Sequence, residues 1–346
     1  SSAGTYTLSG IWPYDLRAEG DFVIRDLAPM TARIEGGLAR NGLTLRAADV
    51  RAFDGRAELT GTVSWSPQEQ WAIAGRASAV DPAYLRADLP GRLDFTLSAR
   101  GTGFGADSNL VVDFSDLGGR LRGVPMSGSG RIGLRSGNWS FENVRVGLGG
   151  TSFALDGRIG PRLDLQFGID AHDLGLLMRE SSGQLQASGK IRGTLADPAV
   201  QATASGSSIR YGTLAVQSFN ATIDFDSREQ SEARMDVRAT GLTFARRTVE
   251  SLTFLLDGTA ASHSARLDAR AGDLKLAARA NGSFAAGKWE GQLDSLTLNG
   301  IESLHLELET PVALLLSPQR MRAEPPAVSE GGHPHGHADA RRTALQ

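Results

Sequence analysis

The sequence predicts an all-β protein: an elongated, repetitive array of strands with one apolar face and very little helix. Three observations carry that prediction. Apolar residues recur two apart with polar residues between them, the period of a strand that buries one face. Clusters of Gly, Asn, Asp or Pro interrupt the alternation about every eight to twelve residues, the rhythm of a many-stranded sheet. Blocks of sequence also recur at a fixed spacing, which marks a repetitive array.

Taken in order, the first clear strand holds Leu93, Phe95, Leu97 and Ala99 in alternation with Asp94, Thr96, Ser98 and Arg100. Two short segments, Ala79–Gly91 and Ala171–Gly183, each begin near an Asp and end at Gly, so each predicts one or two helical turns. Between them Leu163, Leu165, Phe167 and Ile169 alternate with Asp164, Gln166, Gly168 and Asp170. Leu185 and Ile191 carry the same phase through the next run, and Leu274 and Leu276, then Leu304, Leu306 and Leu308, repeat it later. These apolar members are the face that such a sheet buries or, left open, offers as a lining. Val50 begins a run that resembles the one beginning at Val144, and Gly91 and Gly183 stand 92 positions apart, as do Gly101 and Gly193. Repeat units are therefore expected at about residues 50–101 and 144–193, with a weaker third at 250–300, inside one continuous array over residues 1–316. The stretch Gly193–Gly212 joins two of these, and its strand is mostly Ala, Ser and Gly, small enough for a sheet that curves tightly. From Ser317 the alternation stops in a segment rich in Pro, Gly and charge, read as a disordered tail or linker over 317–346.

Composition excludes several functions. A formal charge of -3 with both signs interspersed offers no basic stripe for nucleic acid. With no Cys there is neither a disulfide framework nor a thiolate metal site. No window approaches the eighteen apolar residues of a membrane-spanning helix. Gly128–Gly133 matches the dinucleotide pattern G-x-G-x-x-G, but strand-like sequence follows where that site needs a helix. His333, His335 and His337 have a metal-compatible spacing without supporting carboxylates, and His172, His263 and His305 read as surface residues of turns and polar faces. No nucleophile elbow and no marked acid and base pair occur, so no enzyme activity, cofactor or metal is expected.

The apolar face is then the informative feature. A closed sandwich or solenoid would bury it and act as a spacer or adhesin stalk. An open sheet would leave a trough for acyl chains, each of which avoids roughly 11 kcal/mol of water exposure at about 0.8 kcal/mol per methylene. A chaperone-like surface that pairs strands through its edges is a third reading.

The stretch Gly61–Gly101 resembles the TamB and AsmA-like family of Gram-negative bacteria. Its Trp65-Ser66-Pro67 turn, Trp71-led strand, Asp81-Pro82 turn with Leu85, and Pro90-Gly91 turn carry the likeness, together with the stretches beginning at Gly193 and Gly287. The resemblance implies a long curved sheet shaped like a taco or half-pipe, a groove with an apolar interior lined by the alternating apolar residues. By the same resemblance this groove spans the periplasm from an inner-membrane anchor and cooperates with an Omp85-type outer-membrane protein. It also implies phospholipid movement between the membranes and outer-membrane protein assembly, including that of autotransporters. Because no anchor helix and no family C-terminal domain are legible, the chain is expected to be an internal segment carrying the conduit.

Overall fold

The computed structural model describes residues 2–22, 29–103, 108–178, 180–228, 230–244, 247–285, 288–300, 305–317 and 320–324. They form one 23-stranded sheet, antiparallel at every pairing. From β1 (Ser2–Ser9) to β20 (Lys288–Asn299), each strand pairs with its predecessor and successor in sequence. The outer edge of β20 carries two short strands at different heights, β21 (His305–Glu307) and β22 (Val312–Ser317). β23 (Arg320–Glu324) pairs with β22 and extends strand structure beyond Ser317. The first and last strands do not pair, so the sheet is open and not a barrel.

Both predicted helical segments are single 3-10 turns, Pro82–Tyr84 and Leu174–Leu176. Each is set by the Asp before it: Asp81 accepts from the Ala83 amide and Asp173 from the Gly175 amide. Asp81 also accepts from the Gly91 amide at 3.0 Å, which ties the turn to the strand it precedes.

The strands are bent by β-bulges, and carboxylates from neighbouring strands satisfy amides that the bulges release. In β6 (Gln70–Val80) the register shifts between Ala77 and Val80, and Ala79, with φ 54°, donates its amide to Asp94 at 2.9 Å. In β10 (Asn138–Leu148) the shift falls between Phe141 and Val144, and Asn143, with φ 50°, donates to Asp156 at 2.6 Å. An extra residue on one strand increases local bend and twist, so these positions fold a long sheet toward one face.

The direction of that bend is visible at Phe225 on β15 (Leu214–Asp226) and Phe284 on β19 (Leu274–Ala285). These strands are four places apart, roughly 19 Å across a flat sheet, yet the two rings meet edge to face at 5.2 Å. Two phenylalanine side chains cannot span a flat gap of that size, so the face that carries them is concave here. Glycine permits the close backbone approach in places: a Cβ on Gly157 would stand 1.9 Å from the Asp164 carbonyl oxygen.

Candidate functional site

Register converts the alternation of single strands into rows that cross the sheet. Residues opposite each other in antiparallel strands project to the same face. One row runs from Leu8 through Leu16, Gly36, Leu45, Gly61 and Ile73 to Ala99. It continues through Val112, Ile132, Phe141, Gly157, Leu165, Ile191, Val200 and Phe225. It then passes Ala233, Gly258, His263, Gly282 and Gly291 and ends at Leu314. A parallel row links Leu59, Gly75, Leu97 and Phe114, then Val144, Leu155, Phe167, Gly189, Ala202, Ile223 and Met235. Two further rows contain Phe153, Ile169, Ala187 and Ala204, and Leu185, Gly206, Phe219 and Ala239. Of the residues named in these four rows, His263 alone can ionise.

The predicted lining residues fall on this face. Phe95 stands opposite Ala77 and Leu93 opposite Val80, Leu163 faces Gly193, Leu274 faces Ala271, and Leu276 faces Ala269 and Leu298. Most are half-buried, and Leu93 is buried. Leu306 is in register with Leu298 but 56% exposed, because β21 is a three-residue edge strand. Leu308 follows that strand, half-buried, with its amide bonded to the Leu296 carbonyl at 2.9 Å. Leu304 lies outside the described residues, as do His333, His335 and His337.

No large side chain among the described residues is fully buried, and of the buried hydrophobics half are alanines. A sandwich of this length would enclose many large side chains completely. The concave face is therefore an apolar surface covered only by its own curvature. The opposite face carries cross-strand ion pairs such as Arg33–Glu19 at 3.0 Å, Arg145–Asp156 at 2.7 Å and Arg234–Asp257 at 3.1 Å. The Arg145 guanidinium and the Asn143 amide hold the Asp156 carboxyl below the usual carboxylate range, and Asp113 pushes the Arg131 guanidinium up.

One lip of the groove is locked by a cluster that sequence reading did not locate. Leu93, Leu121 and Leu148 form a buried core against Leu89, Leu117, Val124, Met126 and Leu176. Arg122 spans it, donating from Nε to the Asp88 carbonyl at 2.9 Å, from Nη2 to its carboxylate at 3.2 Å, and from Nη1 to the Leu176 carbonyl at 3.1 Å. The loop that follows the first 3-10 turn, at Asp88, is thereby fastened to the second turn, at Leu176, through one side chain. At the other lip Phe225, Phe284, His263 and Trp289 come together.

His263 corrects the expectation of a surface residue on a polar face: it is 4% exposed and lies in the apolar row. Its Nε2 accepts from the Trp289 indole at 2.7 Å while Nδ1 faces the Thr259 carbonyl at 2.9 Å, so the bonds assign the ring as neutral with its proton on Nδ1. The signal was available in the phase, since His263 is two residues from Ala265 and four from Leu267. Gly128–Gly133 lies within strand β9 (Val124–Arg135), with no helix after it to receive a pyrophosphate.

Fold and site together define an open β-groove protein, one long sheet whose concave side is apolar and whose convex side is polar. The model of one family, TamB, N-terminal domain, matches residues 6–325. The chain belongs to the TamB family, a translocation and assembly module. No solved structure matches it.

Proposed function

We propose that this chain is a non-enzymatic section of a periplasmic conduit, and that its concave face carries the acyl chains of phospholipids between the inner and outer membranes. The observation that supports this most directly is the continuity of one apolar row from Leu8 to Leu314. An acyl chain on such a surface meets neither a charge nor a closed pocket, so it can slide. In the longer family architecture the conduit is tethered to the inner membrane and meets an Omp85-type protein at the outer membrane, where it also serves outer-membrane protein assembly.

Native mass spectrometry of the chain after exposure to phospholipid vesicles tests the reading. Bound phospholipid is expected, and Phe167→Glu, which places a carboxylate in the middle of a row beside Gly189, should reduce loading while strand content by circular dichroism is retained. Loading that is absent in the wild type, or unchanged in a folded Phe167→Glu variant, refutes it. A strand-pairing role has one observation in its favour: among the described residues β1 has an unpaired edge, on which Tyr6 is 75% exposed.

A further inference from the structure

The lip opposite Arg122 carries a cavity of about 890 Å³ that runs across the ends of the strands between Thr62 and Arg158. It is lined from the polar face by Arg100, Arg135 and Arg158, and it takes in Trp71 and Trp139 from the apolar row. The charge within it is unbalanced. Arg135 and Arg158 have no ion pair with any described carboxylate, and Arg100 reaches Asp113 only at 3.9 Å, where Asp113 is already held by Arg131. The one carboxylate of the lining, Glu142, bonds to Arg131 at 3.2 Å. Arginines elsewhere on the convex face, such as Arg33, Arg145 and Arg234, are paired with neighbouring acids, and others, such as Arg92 and Arg210, have no ion pair with a described carboxylate but stand outside the cavity.

We propose that this cavity is a headgroup site, at which Arg135 and Arg158 bind the phosphate of a phospholipid whose acyl chains lie on the adjoining concave face. The inference rests on the groove reading and adds the substrate's charge to it. Guanidinium groups suit a phosphodiester because they offer paired donors in a plane. Trp139, 43% exposed and in register with Leu134 on the apolar side of the same lip, supplies an amphipathic ring at the boundary between headgroup and tail. A lipid held this way straddles the lip, with its tails on the apolar row of Trp71, Leu110 and Leu134.

The test compares the wild type, R135Q/R158Q, and the charge-matched control R92Q/R210Q, whose arginines are not among the residues lining the cavity. Each is offered phosphatidylglycerol or diacylglycerol with identical chains from vesicles, and loading is read by native mass spectrometry. Wild type should prefer phosphatidylglycerol by about tenfold, the scale expected for charge-assisted hydrogen bonds at an exposed site. R135Q/R158Q should lose that preference yet still load diacylglycerol, and the control should keep it. An unchanged preference in R135Q/R158Q overturns the site while leaving the groove intact, and equal losses in both double variants reduce it to net charge. Inorganic phosphate that binds through the same arginines without any lipid preference assigns the cavity to free phosphate and overturns the headgroup. Wild type that loads neither lipid refutes the groove reading itself.

Discussion

Replacing Arg122 by Met should loosen one lip of the groove without unfolding the sheet. The substitution keeps an apolar stem of similar length and removes three hydrogen bonds, two to Asp88 and one to Leu176. The side chain is 19% exposed, so solvent replaces those bonds only in part. Hydrogen bonds to charged groups contribute about 1.5–3 kcal/mol when buried, and discounting for partial access and for the retained stem leaves roughly 2 kcal/mol. Global melting averages over a long sheet in which each strand contacts its neighbours and does not localise the change to one lip. Amide hydrogen exchange is the better assay, because it reads local opening. The Leu177 and Met178 amides, bonded to the Leu174 carbonyl at 3.0 and 2.9 Å, and the Gly149 amide, bonded to the Pro125 carbonyl at 2.8 Å, report on this lip. A loss of about 2 kcal/mol lowers their protection by roughly 30-fold, while the amides of β16 (Glu232–Phe244) should be unaffected. Unchanged protection at Leu177 and Met178, or a uniform loss along the whole sheet, refutes the idea that Arg122 fastens the Asp88 loop to the second 3-10 turn.

Three other expectations follow from the same geometry. Gly157→Ala places a methyl group 1.9 Å from the Asp164 carbonyl at φ 119°, which should cost more than about 2 kcal/mol in a denaturant titration; a change under about 0.5 kcal/mol would show that the approach is not rigid. His263→Leu leaves the Trp289 indole and the Thr259 carbonyl without their partner and should destabilise by about 1–3 kcal/mol with a shift in Trp289 fluorescence; an unchanged emission spectrum would count against the bond. Acidification should weaken the sheet as Asp156 and Asp226 protonate: Arg145 and Arg228 respectively hold these carboxylates below their ordinary range, so their stabilisation is present above about pH 4, the unfolded value, and is lost as pH falls further. The melting temperature should therefore be flat from neutral pH down to about pH 5 and fall below it, and D156N should blunt that fall.

Much of the architecture was legible in the chain because its contacts are local. The alternation at Leu163–Ile169 names both the strand and its inward face, and the Asp before each 3-10 turn marks the turn that it caps. What sequence could not supply was the register between strands. That Phe167 stands opposite Leu155 and Gly189, or that Val144 follows Phe141 on the same face after a bulge, depends on pairing and not on pattern. Arg122 reads as an ordinary turn residue before Gly123, since Asp88 and Leu176 are 34 and 54 positions away. The unpaired arginines were hidden for the same reason: Arg135 faces Asn138 across the strand, and Arg158 faces Asp164, which Arg192 holds instead.

The order in which the chain becomes structured follows from its meander. Each strand needs only the one before it, so a polypeptide emerging from its N-terminus can add hairpins one by one, with no distant segment to await. The meeting of Phe225 with Phe284 is one exception, and Arg122 is another. Its bonds to Asp88 can close as soon as that hairpin forms, but its bond to Leu176 must wait until β12 (Leu163–Ala171) is laid down. Until then the lip has one fastening in place of two, and the cluster around Leu93, Leu121 and Leu148 lacks the Leu176 side chain that packs against it. Growth of the sheet and locking of its lip are thus separate events, and a chain halted between them would have its strands without its rigid edge.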